Sequence, residues 1–296
     1  MIKSLRKRFI IFSVLVISVI IFLVALFIFI GGESDVSAHR YVVTLSLAIV
    51  LVFIGSWLLS KVAIRPIQTV WQKQLDFTAD ASHELRTPIT VIQTNLDVIM
   101  DRPDETVGSQ IKWLKNIESE NKRMAKLVED LLTLSRADTD QQMLEKEMFI
   151  LDEVVAEAIA PFEPIANEKN IELVMNINNQ INFYGDKKRV HQLLVILFDN
   201  ALNYTDSGTV TVELSQSEKN IKITVSDTGH GIDAEHISKI FDRFYRVTKT
   251  RNLNQGGLGL GLPIAKWIVE EHGGTIKISS VPSEGTSFEV QLPKMT

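Results

Sequence analysis

The chain has no cysteine. Without a thiol there is no disulfide framework, no thiolate nucleophile and no cysteine-ligated zinc or iron–sulfur site. An excess of basic charge is missing too. The 31 Lys and Arg against 36 Asp and Glu leave a formal net charge of −5, which gives no reason to expect nucleic acid as a partner. Internal repeats, Gly/Ser tracts and long blocks of one charge sign are also lacking, so disorder is expected only in short loops. What is abundant is apolar residue, 45% of 296, and it is unevenly spread. Two uncharged runs, residues 9–30 and 41–60, lie near the start, and the remainder reads as soluble protein. This pattern excludes a simple cytosolic enzyme, and two spans build too little pathway for a polytopic transporter. The length leaves room for roughly two further compact units.

At about 1.5 Å of rise per residue, the two runs reach roughly 33 and 30 Å, each enough for a bilayer core. Lys3, Arg6, Lys7 and Arg8 precede the first run, Arg40 is the only Lys or Arg between them, and Lys61, Arg65 and Lys73 follow the second. The positive-inside rule then predicts a two-pass protein of the cell membrane with both termini cytoplasmic. Its parts are a cytoplasmic stretch 1–8, spans 9–30 and 41–60, and an extracytoplasmic loop 31–40. The basic start would suit a cleaved signal peptide, but the run exceeds an h-region and a second follows closely. So short a loop cannot fold into a ligand-binding domain. A stimulus must act on the spans, on the loop or through a membrane partner.

Residues 61–140 carry helical periodicity. Ile67, Val70, Gln74, Phe77 and Ala81 alternate three- and four-residue steps, and Leu85, Ile89, Ile92, Leu96 and Ile99 continue the seam. The segment DRPDET at 101–106 interrupts it. A second seam follows at Leu114, Ile117, Asn121, Met124, Val128 and Leu131, widened by Leu127 and Leu134. Two such helices joined by a turn expose an apolar face too wide for water, so pairing of two hairpins into a four-helix bundle is expected. His83 sits about 200° from both Ala81 and Leu85, off the seam. Alone it reads as a solvated surface imidazole. With Glu84 adjacent it also reads as a nucleophile whose ring proton a carboxylate can hold. Pro88 predicts a bend just beyond it.

From 145 to 296 the period changes. Strands are expected at 171–177, 209–214, 220–226, 275–281 and 287–292, and helices at 151–168, 187–203 and 262–272, an α/β layer with helices on one sheet. Three segments carry chemistry there. LFDNALNYT at 197–205 closes a helix whose Val190, Leu193, Leu194 and Leu197 face a core. VSDTGHGI at 225–232 runs from a strand into Asp-x-Gly-x-Gly. GGLGLG at 256–261 precedes a helix and lets backbone approach phosphate at a positive dipole end. The last is neither a Walker A loop nor a dinucleotide fingerprint. Taken singly, each also fits a polar helix face, a strand-end turn or a loop.

The segment FTADASHELRTPIT at 77–90 resembles the H-box of the sensor histidine kinases of two-component systems. The three later segments, in order, resemble the N, G1 and G2 boxes of their ATP-binding domain, with FDRFYR at 241–246 as the F-box. The resemblance covers residues 67–293. It implies a multidomain membrane protein: two transmembrane helices, a dimeric helical hairpin and an α/β sandwich that binds ATP with Mg²⁺. It further implies that His83 accepts the phosphoryl group, with Glu84 its acid/base partner and Thr87 orienting water in dephosphorylation. Asn200 would bind Mg²⁺, Asp227 accept from adenine, and Gly229 and Gly231 shape the adenine pocket. Tyr204 would flank the base, Arg246 reach the phosphates, and Gly257, Gly259 and Gly261 hinge a lid spanning 228–257. The implied activity is ATP-dependent protein-histidine phosphorylation, with onward transfer to an aspartate on a response regulator's receiver domain. The implied partners are a second copy of the chain and that regulator.

Three positions depart from the family pattern. Ile196 stands where a second metal-side Asn is frequent, and it cannot activate water as the Glu of gyrase and Hsp90 relatives does. Asn203 replaces a phosphate-contacting Lys or Arg, and Leu258 a Thr or Ser. These keep open a degenerate kinase serving as a membrane scaffold, or a protein acting mainly as a phosphatase on its regulator. Residues 65–67 resemble the opening of a relay module whose remainder is missing, which implies a direct helical link from the second span to His83.

Overall fold

The computed structural model describes residues 15–16, 19–20, 22–23, 26, 37–137, 144–177, 180–247 and 257–294. The expected first span and the loop after it lie mostly outside the described residues. Among those described, no helix is long and apolar enough to cross a membrane. The run 41–60 is helical, with most of its side chains outside the description.

Two compact units divide the chain, Met1–Ala79 and Asp80–Thr296. In the first, the side chains that are described at Leu15, Val19, Phe22 and Leu26, and at Val43, Leu47, Val50 and Ile54, are all exposed. Each set repeats at four- and three-residue steps, one apolar stripe per helix.

Helix α1, Ser37–Met100, runs without interruption through Pro66 and Pro88. It passes the expected bend as continuous helix. It ends in the turn 101–106, where Asp101 N–H reaches the Asp97 carbonyl at 2.9 Å. Gln110, buried on the next helix, donates from Nε2 to the carbonyls of Arg102 at 2.8 Å and Ile99 at 3.4 Å. That satisfies acceptors a helix end leaves open. Helix α2, Val107–Ala137, returns alongside, and Asn116 Nδ2 donates to buried Asn95 Oδ1 at 3.2 Å across the pair. A polar pair of this kind fixes register, because a shift would bury unpaired amides. The seams divide. Ile89, Leu96, Leu114 and Val128 stay exposed, joined by Leu132 from outside the expected seam, whereas Leu85 and Leu131 pack against the core cluster in which Leu127 and Leu134 are buried. Those two leucines do not widen the free stripe; they face the domain that follows, where α2 touches the last helix.

That domain starts with β1 (Glu147–Ile150) and α3 (Leu151–Ile159), then a 3₁₀ turn Ala160–Phe162 and α4 (Glu163–Glu168). The single helix expected over 151–168 is broken because Pro161 and Pro164 each start a new helical segment, lacking the N–H to continue the old one. Next come β2 (Ile171–Ile177), β3 (Asn182–Gly185), α5 (Lys187–Asn203), β4 (Gly208–Gln216), β5 (Asn220–Asp227), α6 (Ala234–Ile237), α7 (Gly261–Glu271), β6 (Thr275–Val281) and β7 (Gly285–Pro293). The large sheet has order β2-β4-β5-β7-β6, with only β2 and β4 parallel, and β1 pairs with β3 in a separate ribbon. Alternation sets its two faces. Val210, Val212, Leu214, Ile221, Ile223, Val225, Val290 and Leu292 are buried, while Lys222 and Glu289 pair at 2.7 Å among the intervening residues. Helices α3, α5 and α7 pack side by side, their buried residues sharing one core with the sheet.

One buried pair locks this layer. Asp186 caps α5, its Oδ1 accepting from Arg189 N–H at 3.1 Å. Asp186 N–H in turn donates to His272 Nε2 at 3.0 Å, and His272 Nδ1 meets the Ile268 carbonyl at 2.7 Å. The carbonyl only accepts, so Nδ1 carries the proton and Nε2 is bare: a neutral imidazole. Burial holds its pKa below the ordinary 6.5. In the unfolded chain this histidine protonates below 6.5 while the folded one resists, so the stability it supports is full above 6.5 and falls with pH below it. His272→Ala is expected to cost about 2–4 kcal/mol, through a cavity and an orphaned N–H, and to flatten the fall in melting temperature between neutral and mildly acid pH.

Candidate functional site

A cleft of about 620 Å³ opens among α2, α5, the ends of β5 and β7 and the start of α7. Asn200, Tyr204, Asp227, Gly231, Arg246, Gly257, Gly259 and Gly261, eight residues singled out from sequence, line it together. Ile196, Asn203 and Leu258 line it as well without closing it. Gly229 is not in the lining; it packs below, where a Cβ would strike the Tyr204 carbonyl.

Asp227 ends β5. Its Oδ1 accepts from Gly229 N–H at 2.9 Å and Thr286 N–H at 3.2 Å, so the side chain ties the G1 turn to the start of β7. Burial raises its pKa, and those two amides and His230 pull the other way. Both backbone bonds fall on Oδ1, which leaves Oδ2 for a ligand's donor. On α5, Asn200 Nδ2 donates to the Ile196 carbonyl at 2.8 Å, which fixes the amide and turns Oδ1 to other use. Tyr204 is exposed, and its carbonyl accepts from His230 N–H at 3.0 Å.

The loop between β5 and α7 is described to Val247 and again from Gly257, so most of the last third of the expected lid lies outside the described residues. Phe244 N–H donates to the Gly259 carbonyl at 2.9 Å, and Gly259 itself has φ +70° with the Phe244 backbone close to where a Cβ would stand. A side chain there would be strained and would collide. His236 Nδ1 and the Tyr245 hydroxyl stand 2.7 Å apart, and Arg246 Nε is buried with no hydrogen-bond partner among the described residues. Among the described residues, nothing lies within 4 Å of where a Cβ on Gly257 would stand.

His83, Glu84 and Thr87 are not in the cleft lining. His83 is exposed on α1, and Thr87 Oγ1, one turn on, meets the His83 carbonyl at 3.5 Å. Glu84 is held from across the hairpin: Arg123 Nη2 lies 3.8 Å from its Oε2. The far wall of the cleft, which no motif predicted, is α2 with Glu120, Arg123, Lys126 and Asp130. Asp130 is pushed up to about 6, chiefly by burial, with Lys126 opposing. Thr286 was also missed, since its contribution is a backbone amide and leaves no side-chain signature.

Residues 73–140 match the His Kinase A (phospho-acceptor) domain, and residues 185–296 match the histidine kinase-, DNA gyrase B-, and HSP90-like ATPase family. With the cleft and hairpin above, the chain belongs to the sensor histidine kinases of two-component systems. It is 34% identical over 250 residues to the sensor histidine kinase RppB of Synechocystis sp., covering 83% of this chain and 55% of that one. The histidine kinase AdeS of Acinetobacter baumannii superposes with TM-score 0.59 at 28% identity, over 72% of this chain and 98% of that one. The histidine kinase ThkA, solved in complex with the response regulator TrrA, gives TM-score 0.59 at 26% identity, over 74% of this chain and 61% of that one. The chain spans about half the length, 55%, of the curated relatives it matches.

Asp227→Asn keeps an oxygen for both backbone amides and turns the other atom from acceptor to donor. Its melting temperature should stay within a few degrees of wild type, while affinity for adenine nucleotides falls by about tenfold or more, as for a lost buried hydrogen bond. Calorimetry on both proteins reads the two quantities.

Proposed function

We propose that the chain is a homodimeric, ATP-dependent protein-histidine kinase of the cell membrane that phosphorylates His83 and passes the phosphoryl group to an aspartate of a response regulator. The observation that carries this is an exposed imidazole on α1 in the same compact unit as an open cleft holding Asn200, Asp227 and the glycine loop before α7. The adenine end lies at Asp227, whose Oδ2 accepts from the exocyclic amine above Gly229 and Gly231, with Tyr204 beside the base. The phosphates lie toward α7, whose first turn offers unpaired N–H groups, and toward Arg246. Gly257, Gly259 and Gly261 let that strand of the lid close over them.

The donor set suits Mg²⁺. Magnesium takes oxygen ligands, keeps several waters and leans on substrate phosphates, so one protein oxygen, Asn200 Oδ1, can complete its shell, and Ile196 adds nothing to it. When bound, the ion offsets charge on the phosphate oxygens. His83 supplies the attacking nitrogen, Glu84 takes the proton from the other ring nitrogen, and Thr87, on the same helix face, orients the water that hydrolyses the phosphoryl group in dephosphorylation. Ile196 provides no base for water, which favours transfer to a protein group over free hydrolysis.

Support for the dimer is the exposed stripe of Ile89, Leu96, Leu114, Val128 and Leu132, which a second hairpin would cover. Support for a regulator partner is the complex known for ThkA. The paired apolar stripes at 15–26 and 43–54 suit lipid, and the basic flanks put both termini in the cytoplasm. Unbroken helix from Ser37 to Met100 suits direct helical signalling from the second span.

His83→Gln should abolish acid-labile incorporation of labelled phosphate from ATP while nucleotide binding persists; equal incorporation in that variant rejects the assignment. Inserting one, two, three or four residues near Gln72 should modulate activity with helical phase, and a response indifferent to phase counts against the direct link.

A further inference from the structure

We propose that Arg123, on the hairpin, is a phosphate-positioning residue of the nucleotide cleft, and that the arriving γ-phosphate frees Glu84 from it. This rests on the kinase function proposed above. Arg123 stands in both places at once. It lines the cleft, its Nη2 lies 3.8 Å from Glu84 Oε2, and its Nη1 lies 3.7 Å from Glu120 Oε2. Neither separation is a hydrogen bond, so the planar fork of the guanidinium is held electrostatically and its donors are not committed to either acid. Glu120 Oε2 is itself buried and finds no hydrogen-bond partner among the described residues. Arg123 therefore sits in an unsatisfied triad of two carboxylates and one cation, at the border between the acceptor box and the cleft.

The chain also has a cation to replace. Asn203, on the α5 wall, is neutral where the family resemblance implies a phosphate-contacting base. Across the cleft, α2 offers two cations, Arg123 and Lys126. Of these only Arg123 is tied to the residue beside His83, and only an arginine matches phosphate oxygens two at a time. A γ-phosphate carries more charge than one carboxylate and presents three acceptor oxygens, so it outcompetes Glu84 for the guanidinium.

The exchange gives the transfer an order. With Arg123 on the phosphate, the Glu84 carboxylate is released next to His83. One imidazole nitrogen then forms the N–P bond as the bond from phosphorus to the β–γ bridging oxygen breaks, and ADP departs with that electron pair. The proton on the second ring nitrogen goes to Glu84. In the empty state Glu84 remains engaged by Arg123 and is a poorer acceptor.

The test uses the full chain, with autophosphorylation kinetics in ATP and binding of ADP and of a non-hydrolysable ATP analogue. Arg123→Ala should lower kcat by about tenfold or more, as for loss of an aimed charge donor, leave ADP affinity within about twofold, and remove the preference for the analogue over ADP. Arg123→Lys, which keeps the charge without the fork, should recover part of kcat. A kcat within about twofold of wild type in Arg123→Ala, or ADP and analogue affinities that fall together, would overturn the proposal. Should the alanine variant fail to fold, Arg123→Lys decides: reduced kcat with intact ADP binding supports the role, and wild-type kcat rejects it. A wild-type chain that takes up no phosphate would instead refute the kinase function itself, which keeps the two failures apart.

Discussion

A carboxylate buried at the end of a strand must be met by donors, and at Asp227 this requirement organises the cleft. Its Oδ1 draws in the amides of Gly229 and Thr286, residues separated in sequence by the whole lid and the last helix. Through them the G1 turn and the start of β7 are held against the end of β5. Gly285 completes the arrangement, because any side chain there would collide with the Asp227 carbonyl. Burial raises the pKa of this acid, so its charged form is costly until a ligand donor reaches the second oxygen. A pocket that keeps an acid underpaired favours a ligand able to supply that donor, and an exocyclic amine does so.

The hairpin answers a different constraint. Its helices must bury apolar surface on two sides and still leave one imidazole free. The register pair Asn95–Asn116 and the Gln110 cap fix how α1 and α2 meet. Leu127 and Leu134 turn to the nucleotide domain, Ile89, Leu96 and Leu114 face outward, and His83 occupies neither surface. The exposed imidazole and the cleft are thus separate features of one unit, and α2, bearing Arg123, borders both.

Much of this was legible in the sequence because the chemistry dictates residue type. Asp227 and Gly231 of the Asp-x-Gly-x-Gly segment, the glycine loop and Asn200 fell into one lining because a nucleotide pocket needs backbone approach and few, fixed polar groups. The five strands of the large sheet were visible from alternation, since the sheet is buried on one face. The ribbon β1–β3 was not: four residues each, EMFI and NFYG, are too short to show a period. The break at Pro161 and Pro164 was written in the residues but outweighed by the apolar spacing around it. Asp186 and His272 could not be paired from sequence, as 86 positions separate them. Arg123 and Asp130 look like ordinary charges on a solvated helix face, and only the packing of α2 against the domain turns them toward the cleft. Glu84, expected to serve the imidazole beside it, also lies 3.8 Å from a cation on the opposite helix, which its sequence neighbours do not announce.

The central claim is that a phosphoryl group leaves ATP for one imidazole on α1. The most direct measurement is the site of modification, mapped by fragment mass spectrometry at neutral to basic pH after the wild-type chain is incubated with ATP and magnesium. The phosphoryl group should be found on His83 alone among the residues of the 77–90 segment. Phosphate on Ser82, Thr87 or Thr90 instead, or ATP converted to ADP with no phosphorylated chain at any time, would contradict it.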